Sequence, residues 1–211
     1  MMQSNLLPLA KESVLYILFG VLFLALAWIL DFDFLVFIAF CIILFIGFSF
    51  RNPERALCTL DSTSFLSPVD GIVQSIQELE NHQYAYKIEI QSGYTDVSVL
   101  RVPSNATVSK FIKRNGARTS KDSKLFESLN ENVEIHFTTN EENTFKVVHT
   151  LQRSFAPLFI ELDDTQKLIQ TARYGLMLNG STAIYLPQNF RVNITIGSEL
   201  KASESLMGYF S

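Results

Sequence analysis

A mainly β domain, folded as a flattened barrel or sandwich and preceded by an N-terminal transmembrane helical hairpin, is the architecture this sequence predicts. Three observations carry that expectation. Two apolar runs of seventeen residues, 14–30 and 34–50, stand at the front with only Asp31-Phe32-Asp33 between them. From Phe65 onward the apolar residues recur with a period of two in short segments, the alternation of half-buried strands. Turn residues interrupt those segments at intervals of about 8 to 12, the spacing of an all-β sandwich or barrel.

Each apolar run just reaches the lower length of a membrane helix, about 17 residues. A signal peptide competes for the first run, but no small-residue cleavage site follows it and a second apolar run does. Lys11 precedes the first run, Arg51 and Arg55 follow the second, and the turn holds only acids, so the positive-inside rule puts both termini in the cytoplasm. A shallow hairpin that does not span is the alternative for helices this short. Either arrangement holds the rest of the chain at the cytoplasmic side of the cell membrane. The chain then divides into a membrane-anchoring hairpin, 1–50, and a β domain, 51–211.

Strands are expected at 71–76, 84–90, 96–102, 133–137 and 145–150, where apolar and polar residues alternate. Residues 1–50 carry one basic and three acidic side chains, leaving sixteen and eighteen for the remainder. That near balance gives no electrostatic footprint for nucleic acid. About 160 residues suffice for one domain with its own core. Cys41 and Cys58 form neither a metal spacing nor a disulfide framework, which suits a reducing compartment. Asn-x-Ser/Thr patterns at Asn105, Asn179 and Asn193 would need exposure across a secretory membrane to be glycosylated, and are discounted.

Near the end, Arg173-Tyr174-Gly175-Leu176-Met177-Leu178-Asn179-Gly180-Ser181 puts a Gly-Ser pair between two apolar runs. Asn-Gly in that setting is the commonest short signal for a tight hairpin. A chemical reading stands beside it. If the Ser181 hydroxyl attacks the Gly180 carbonyl, the amide becomes an ester, and β-elimination then cuts the chain and leaves a pyruvoyl group on residue 181. Gly180 suits the acyl side, since a residue without Cβ lets the hydroxyl approach and tolerates strained backbone angles.

This segment resembles the processing site of the phosphatidylserine decarboxylase family, which ends an R-[FY]-G-L-x-x-x-G-S pattern in Gly-Ser; Arg173, Tyr174, Gly175, Leu176, Gly180 and Ser181 fit. Phe50-Arg-Asn-Pro-Glu-Arg55 resembles the family's F-R-[DN]-P-x-R, and Ser67-Pro-Val-Asp-Gly-Ile-Val73 its S-P-x-D-G-x-V. Asp96-Val-Ser-Val-Leu-Arg-Val-Pro103 follows the short members' D-V-H-[VI]-N-R-x-P with Ser98 in place of histidine, and longer members carry a further histidine where Arg101 stands. Asn140-Glu-Glu-Asn143 matches N-E-R-N with Glu for Arg, and the I-A-G plus A-R-R run has no counterpart near 151–159. Residues 67–73 and 191–208 also resemble the opening and closing strands of lipoyl- and biotinyl-type domains, but no lysine is offered in the turn for a carrier function.

The resemblance implies a pyruvoyl-dependent carboxy-lyase that self-cleaves between Gly180 and Ser181 and turns phosphatidylserine into phosphatidylethanolamine. The cofactor is then the pyruvoyl group derived from Ser181, whose carbonyl forms a Schiff base with the substrate amine and acts as electron sink. The α and β fragments stay associated, the partners are a phospholipid and the membrane, and a homo-oligomer is compatible with it. Asp70 falls at the aspartate of the family's Asp-His-Ser self-cleavage arrangement, against a plain reading of Pro-x-Asp-Gly as a turn. Ser98 cannot be a base near neutral pH unaided. Arg101 suits a bidentate hold on a carboxylate or phosphate, against a surface or strand-edge arginine. Of His82, His136 and His149, the last two fall on expected strands, where a partly buried structural histidine is the ordinary reading. Thr182 has no assigned role. The alternative function is an unprocessed, inactive relative that binds lipid head groups or a membrane partner.

Overall fold

Two helices open the chain, α1 (Ser13–Ile29) and α2 (Asp33–Ser49), in a computed structural model that describes residues 8–55, 63–80 and 83–211. Cys58 and His82 lie outside the described residues. Each helix has 17 residues, about 26 Å at 1.5 Å per residue, against a hydrocarbon core of about 30 Å. No helix among the described residues is long and apolar enough to cross a membrane. The expected transmembrane hairpin is thereby corrected: the two apolar runs do form paired helices, but the acidic turn cuts both short. Asp31 enters the left-handed region (φ 58) just past α1, and Asp33 sits in the first turn of α2, where a carboxylate complements the helix dipole.

The helices meet along small residues. Ser13, Gly20 and Ala27, seven apart on α1, are buried, and a Cβ at position 20 would come within 2.9 Å of Ile43 Cγ1. Tyr16 stacks on Phe50 with ring centroids 5.3 Å apart. Ile43 and Ile46 of α2 fill the space that Gly20 leaves, whereas Phe19, Trp28, Phe34 and Phe37 are each more than half exposed.

The chain divides into two compact units, Met1–Glu54 and Arg55–Ser211. The second unit contains β1 (Ser64–Leu66), β2 (Gly71–Glu78), β3 (Tyr86–Ser92), β4 (Val99–Arg101), β5 (Ala106–Arg114), the short α3 (Phe126–Leu129), β6 (Asn132–Thr139), β7 (Thr144–Leu151), β8 (Phe159–Ile160), β9 (Lys167–Leu168), β10 (Arg173–Leu176), β11 (Gly180–Leu186), β12 (Phe190–Val192), β13 (Glu199–Leu200) and β14 (Leu206–Phe210). Eight strands form one antiparallel sheet in the order β13-β2-β3-β11-β7-β6-β5-β9. Two three-stranded sheets, β1-β14-β12 and β4-β10-β8, complete a mainly β, sandwich-like arrangement.

The alternation read in the sequence fixes which face is inward. Ile88 and Ile90 on β3, Val133, Ile135 and Phe137 on β6, Phe145 and Val147 on β7, and Ile184 and Leu186 on β11 all enter one core. Phe65 of β1 meets Phe145, Phe190 and Phe210 nearly edge to face, with centroids 5.0, 5.5 and 5.8 Å away, the preferred aromatic geometry. That cluster joins the β1-β14-β12 sheet to the large one. The strand expected over 96–102 shrinks to Val99–Arg101. Ahead of it the chain turns, Gly93 N donating to Asp96 Oδ2 at 2.7 Å, a side-chain bond that favours a turn over a ladder.

Candidate active site

Gly180 and Ser181 do not occupy a hairpin turn. β10 pairs with β4 and β8, whereas β11 pairs with β3 and β7, so residues 177–179 carry the chain from one sheet to another. The hairpin signal fails because Met177 and Leu178 are buried, which draws the connection inward instead of turning it in solvent. Met177 N donates to the Ser98 carbonyl at 2.8 Å and fixes the start of that passage. A Cβ at position 180 would lie 2.5 Å from both Thr150 O and Met177 Sδ. Only glycine fits so close an approach of backbone.

Ser181 is 8% exposed and stands between Gln91 of β3 and Thr150 of β7. The Gln91 side-chain amide donates to the Gly180 carbonyl at 2.9 Å. Thr182, one residue on, faces the opposite side of the sheet and belongs to a buried chain: His149 Nδ1 is 2.8 Å from Thr182 Oγ1, and His149 Nε2 is 2.6 Å from the Tyr174 hydroxyl. Burial lowers the His149 pKa to about 3 and pushes the Tyr174 hydroxyl up, so both are neutral at physiological pH. A neutral imidazole holds one donor and one acceptor, and the three side chains form a single directed relay behind the Gly-Ser peptide. His136 bonds Glu134 at 2.8 Å, four residues along β6 from the Asn132 that faces Thr150, or about 13 Å down the strand. Neither histidine is hydrogen-bonded to Ser181.

Two upstream motifs converge on one ion pair. Asp70 Oδ2 accepts from Arg55 Nη2 at 2.6 Å, Asp70 Oδ1 accepts from Ala202 N at 2.7 Å, and Arg55 also reaches Glu204 at 3.1 Å. The Asp70 carbonyl accepts from Ser92 Oγ at 2.6 Å, and Ser92 stands opposite Gly180. The Asp70 segment is thus tied to the strand beside the Gly-Ser peptide, while its carboxylate is held by Arg55 and a backbone amide. Ser98 is buried and acts on this region through its carbonyl. Arg101 is 6% exposed, faces Arg173 across the β4–β10 pair and donates to Thr171 O at 3.4 Å.

A rim lies beyond the end of β7. Gln152 N donates to Asn179 O at 3.0 Å, bringing the next residues beside the Gly-Ser strand. Arg153 is exposed, with φ 37. Tyr94 donates its hydroxyl to Arg153 O at 2.7 Å and stacks on Phe155 at 5.9 Å with planes 2° apart. The sequence motifs name Ser181, Gly180 and Asp70 because these lie in contiguous segments. Spacing along the chain does not reveal the rest: cross-strand register brings Gln91 to Ser181 and His149 to Thr182, and loop contacts between distant segments make the Arg55–Asp70 pair and the Arg153 rim.

The fold is a mainly β sandwich whose motif segments are tied to one buried glycine peptide, and the comparisons with known proteins make it a carboxy-lyase. Residues 42–208 match the family model for phosphatidylserine decarboxylase, and the chain belongs to that family. Three relatives named phosphatidylserine decarboxylase proenzyme align over nearly their whole length. The one from Desulfotalea psychrophila is 28% identical across 95% of this chain and 96% of its own. That from Syntrophus aciditrophicus is 26% identical across 96% and 97%, and that from Geobacter metallireducens 28% across 98% and 99%.

Proposed function

We propose that this carboxy-lyase processes itself at Gly180-Ser181 and decarboxylates phosphatidylserine to phosphatidylethanolamine at the cytoplasmic surface of the cell membrane. The observation that carries the reading is the Gly180-Ser181 peptide itself. It is nearly buried, has no room for a side chain on its acyl side, and opens a central strand that both neighbours hold in register. A pyruvoyl group made from Ser181 would occupy that same position, and its carbonyl would supply the electron sink that decarboxylation of an amino-acid head group needs.

The chain's own residues then have separable tasks. Asp70, held by Arg55, is the proposed acidic member of the self-cleavage site and keeps β3 beside the scissile peptide through Ser92. Ser98 holds Met177 in place through its carbonyl, where the family's histidine would stand. Arg101 is assigned to the substrate phosphate or carboxylate by its motif, and Arg153, exposed beside the Asn179 contact, is the cation an incoming phosphodiester meets first. The paired helices present exposed phenylalanine, leucine and tryptophan side chains, which supports insertion into the lipid interface without crossing it.

Intact-mass measurement of the purified protein beside its Ser181→Ala variant tests the reading. Two fragments divided at Gly180, the smaller lighter by one ammonia than the hydrolysis product, are expected, with a single chain for the variant. Incubation with phosphatidylserine should yield phosphatidylethanolamine from the processed protein alone. A whole chain in both samples would defeat the self-processing reading.

A further inference from the structure

We infer that Gln91 is a catalytic residue of self-processing, its side-chain amide stabilising the oxyanion that forms on Gly180 when the Ser181 hydroxyl adds to that carbonyl. The inference rests on the self-processing reading above and gives it a residue that none of the family motifs contains.

Register supplies the first support. Gln91 is the cross-strand partner of Ser181, so the two side chains leave the sheet on the same face. The direction of the carbonyl supplies the second. Asn179 O accepts from Gln152 N, on the β7 side. Successive carbonyls along a strand point opposite ways, so Gly180 O points toward β3, where Gln91 Nε2 meets it at 2.9 Å. Gln91 Nε2 therefore already donates to the oxygen on which the charge gathers, and a donor aimed at that oxygen follows it as the carbonyl carbon becomes tetrahedral.

The amide's own bonding supplies the third. Nε2 also lies 3.2 Å from Ser92 O, so two carbonyl oxygens fix which end of the amide faces them; reversing it would set Oε1 against both. In that orientation Oε1 is buried and has no hydrogen-bond partner among the described residues. The neighbour on its other side is Ile72, which offers no polar group. A buried unpartnered acceptor costs about 1–3 kcal/mol, so the side chain is not placed there to satisfy itself. Its shorter bond, at 2.9 Å, is to the scissile carbonyl.

The step balances without any added oxidant. Ser181 Oγ bonds to the Gly180 carbonyl carbon, its proton passes to the departing amide nitrogen, and the C–N bond breaks to leave an ester and a free amine. Loss of the Ser181 α-proton expels the Gly180 carboxylate and leaves a dehydroalanine. Tautomerisation, addition of one water and loss of ammonia complete the pyruvoyl group. Negative charge gathers on Gly180 O first in the tetrahedral adduct, where a full oxyanion forms and where Gln91 acts, and again, shared with the former Ser181 Oγ, on the carboxylate that departs in the elimination.

The test is a time course of self-cleavage by intact mass on freshly refolded full-length protein, comparing wild type with Gln91→Met, which removes the donor at similar size, and Gln91→Asn, which withdraws it. Losing one oxyanion donor slows such a step by about 100- to 1,000-fold. Both variants are expected to cleave at least about 100-fold more slowly, with thermal midpoints unchanged when each is measured in the unprocessed Ser181→Ala background. Hydroxylamine, which cuts an accumulated ester, is expected not to restore the rate. Cleavage of either folded variant at the wild-type rate overturns the inference and leaves self-processing standing. So does hydroxylamine rescue, which would place the defect after ester formation. A midpoint lowered in step with the rate in both variants overturns it too, in favour of a packing role. If wild type itself stays whole, the self-processing reading falls first and takes this inference with it.

Discussion

His149 shows how one buried residue ties pH to stability. Its imidazole is fully buried between Thr182 and Tyr174, and burial holds its pKa near 3 against an ordinary value of 6.5. Between those values the unfolded chain binds a proton that the native chain does not. Stability from this residue is therefore complete above pH 6.5 and is lost as pH falls toward 3, at up to about 1.4 kcal/mol per pH unit. Its neighbours Tyr174 and Thr182 stay neutral throughout that range, so within this trio only the imidazole takes up a proton, and comparison with a variant separates it from the carboxylates held low elsewhere, Glu89 and Glu134. Urea unfolding at pH 7.5, 5.5 and 4.5 should show wild type losing stability more steeply than His149→Gln, which keeps a polar group at the site but takes up no proton. Parallel slopes would mean that His149 is not held neutral. That His149 lies on a strand was readable from the alternation; its partners were not, because Thr182 comes from the neighbouring strand and Tyr174 from another sheet.

At the scale of elements, local periodicity read the strands well and the connections poorly. β2, β3, β6 and β7 lie where alternation put them, since each has one face in the core. The passage from β10 to β11 was misread because Asn-Gly chemistry is local, while burial of Met177 and Leu178 depends on sheets formed elsewhere. No helix among the described residues is long and apolar enough to cross a membrane: at 17 residues each stands at the lower limit and rises about 26 Å against a hydrocarbon core of about 30 Å. What their apolar surface can still do is lie in an interface. Flotation with phosphatidylserine-containing vesicles should carry the wild-type protein upward. A Phe19→Asp, Phe37→Asp double variant, charged on two exposed faces away from the seam, should remain mostly at the bottom of the gradient with its helical content intact. Equal flotation of both would remove the helices from the proposed interfacial role.

For the whole molecule, the decisive fact is where a cut at Gly180-Ser181 would fall. It would release the 31 residues from 181 to 211, which contain β12, β13, β14 and nearly all of β11. Yet β11 is an inner strand, paired with β3 from Gly180↔Ser92 to Leu186↔Tyr86 and with β7 from Gly180↔Leu151 to Tyr185↔Lys146. β14 lies between β1 and β12. Ile184, Leu186, Phe190, Leu200, Met207 and Phe210 all enter the common core, and each large apolar side chain buried stabilises by about 1.5–3 kcal/mol. Six of them together hold the small fragment by roughly 10 kcal/mol before its ladder bonds are counted. A processed protein should therefore run as one species of about 24 kDa or a multiple of it in gel filtration without denaturant, and separate into two chains only in strong denaturant. Loss of the small fragment under native conditions would show that the core does not bind it as the sheet order requires. The same order is what would let the proposed cut leave the protein whole: it would come at the mouth of a strand whose two neighbours belong to the larger fragment, so the ladder that aligns Ser181 before the cut would also retain it afterwards.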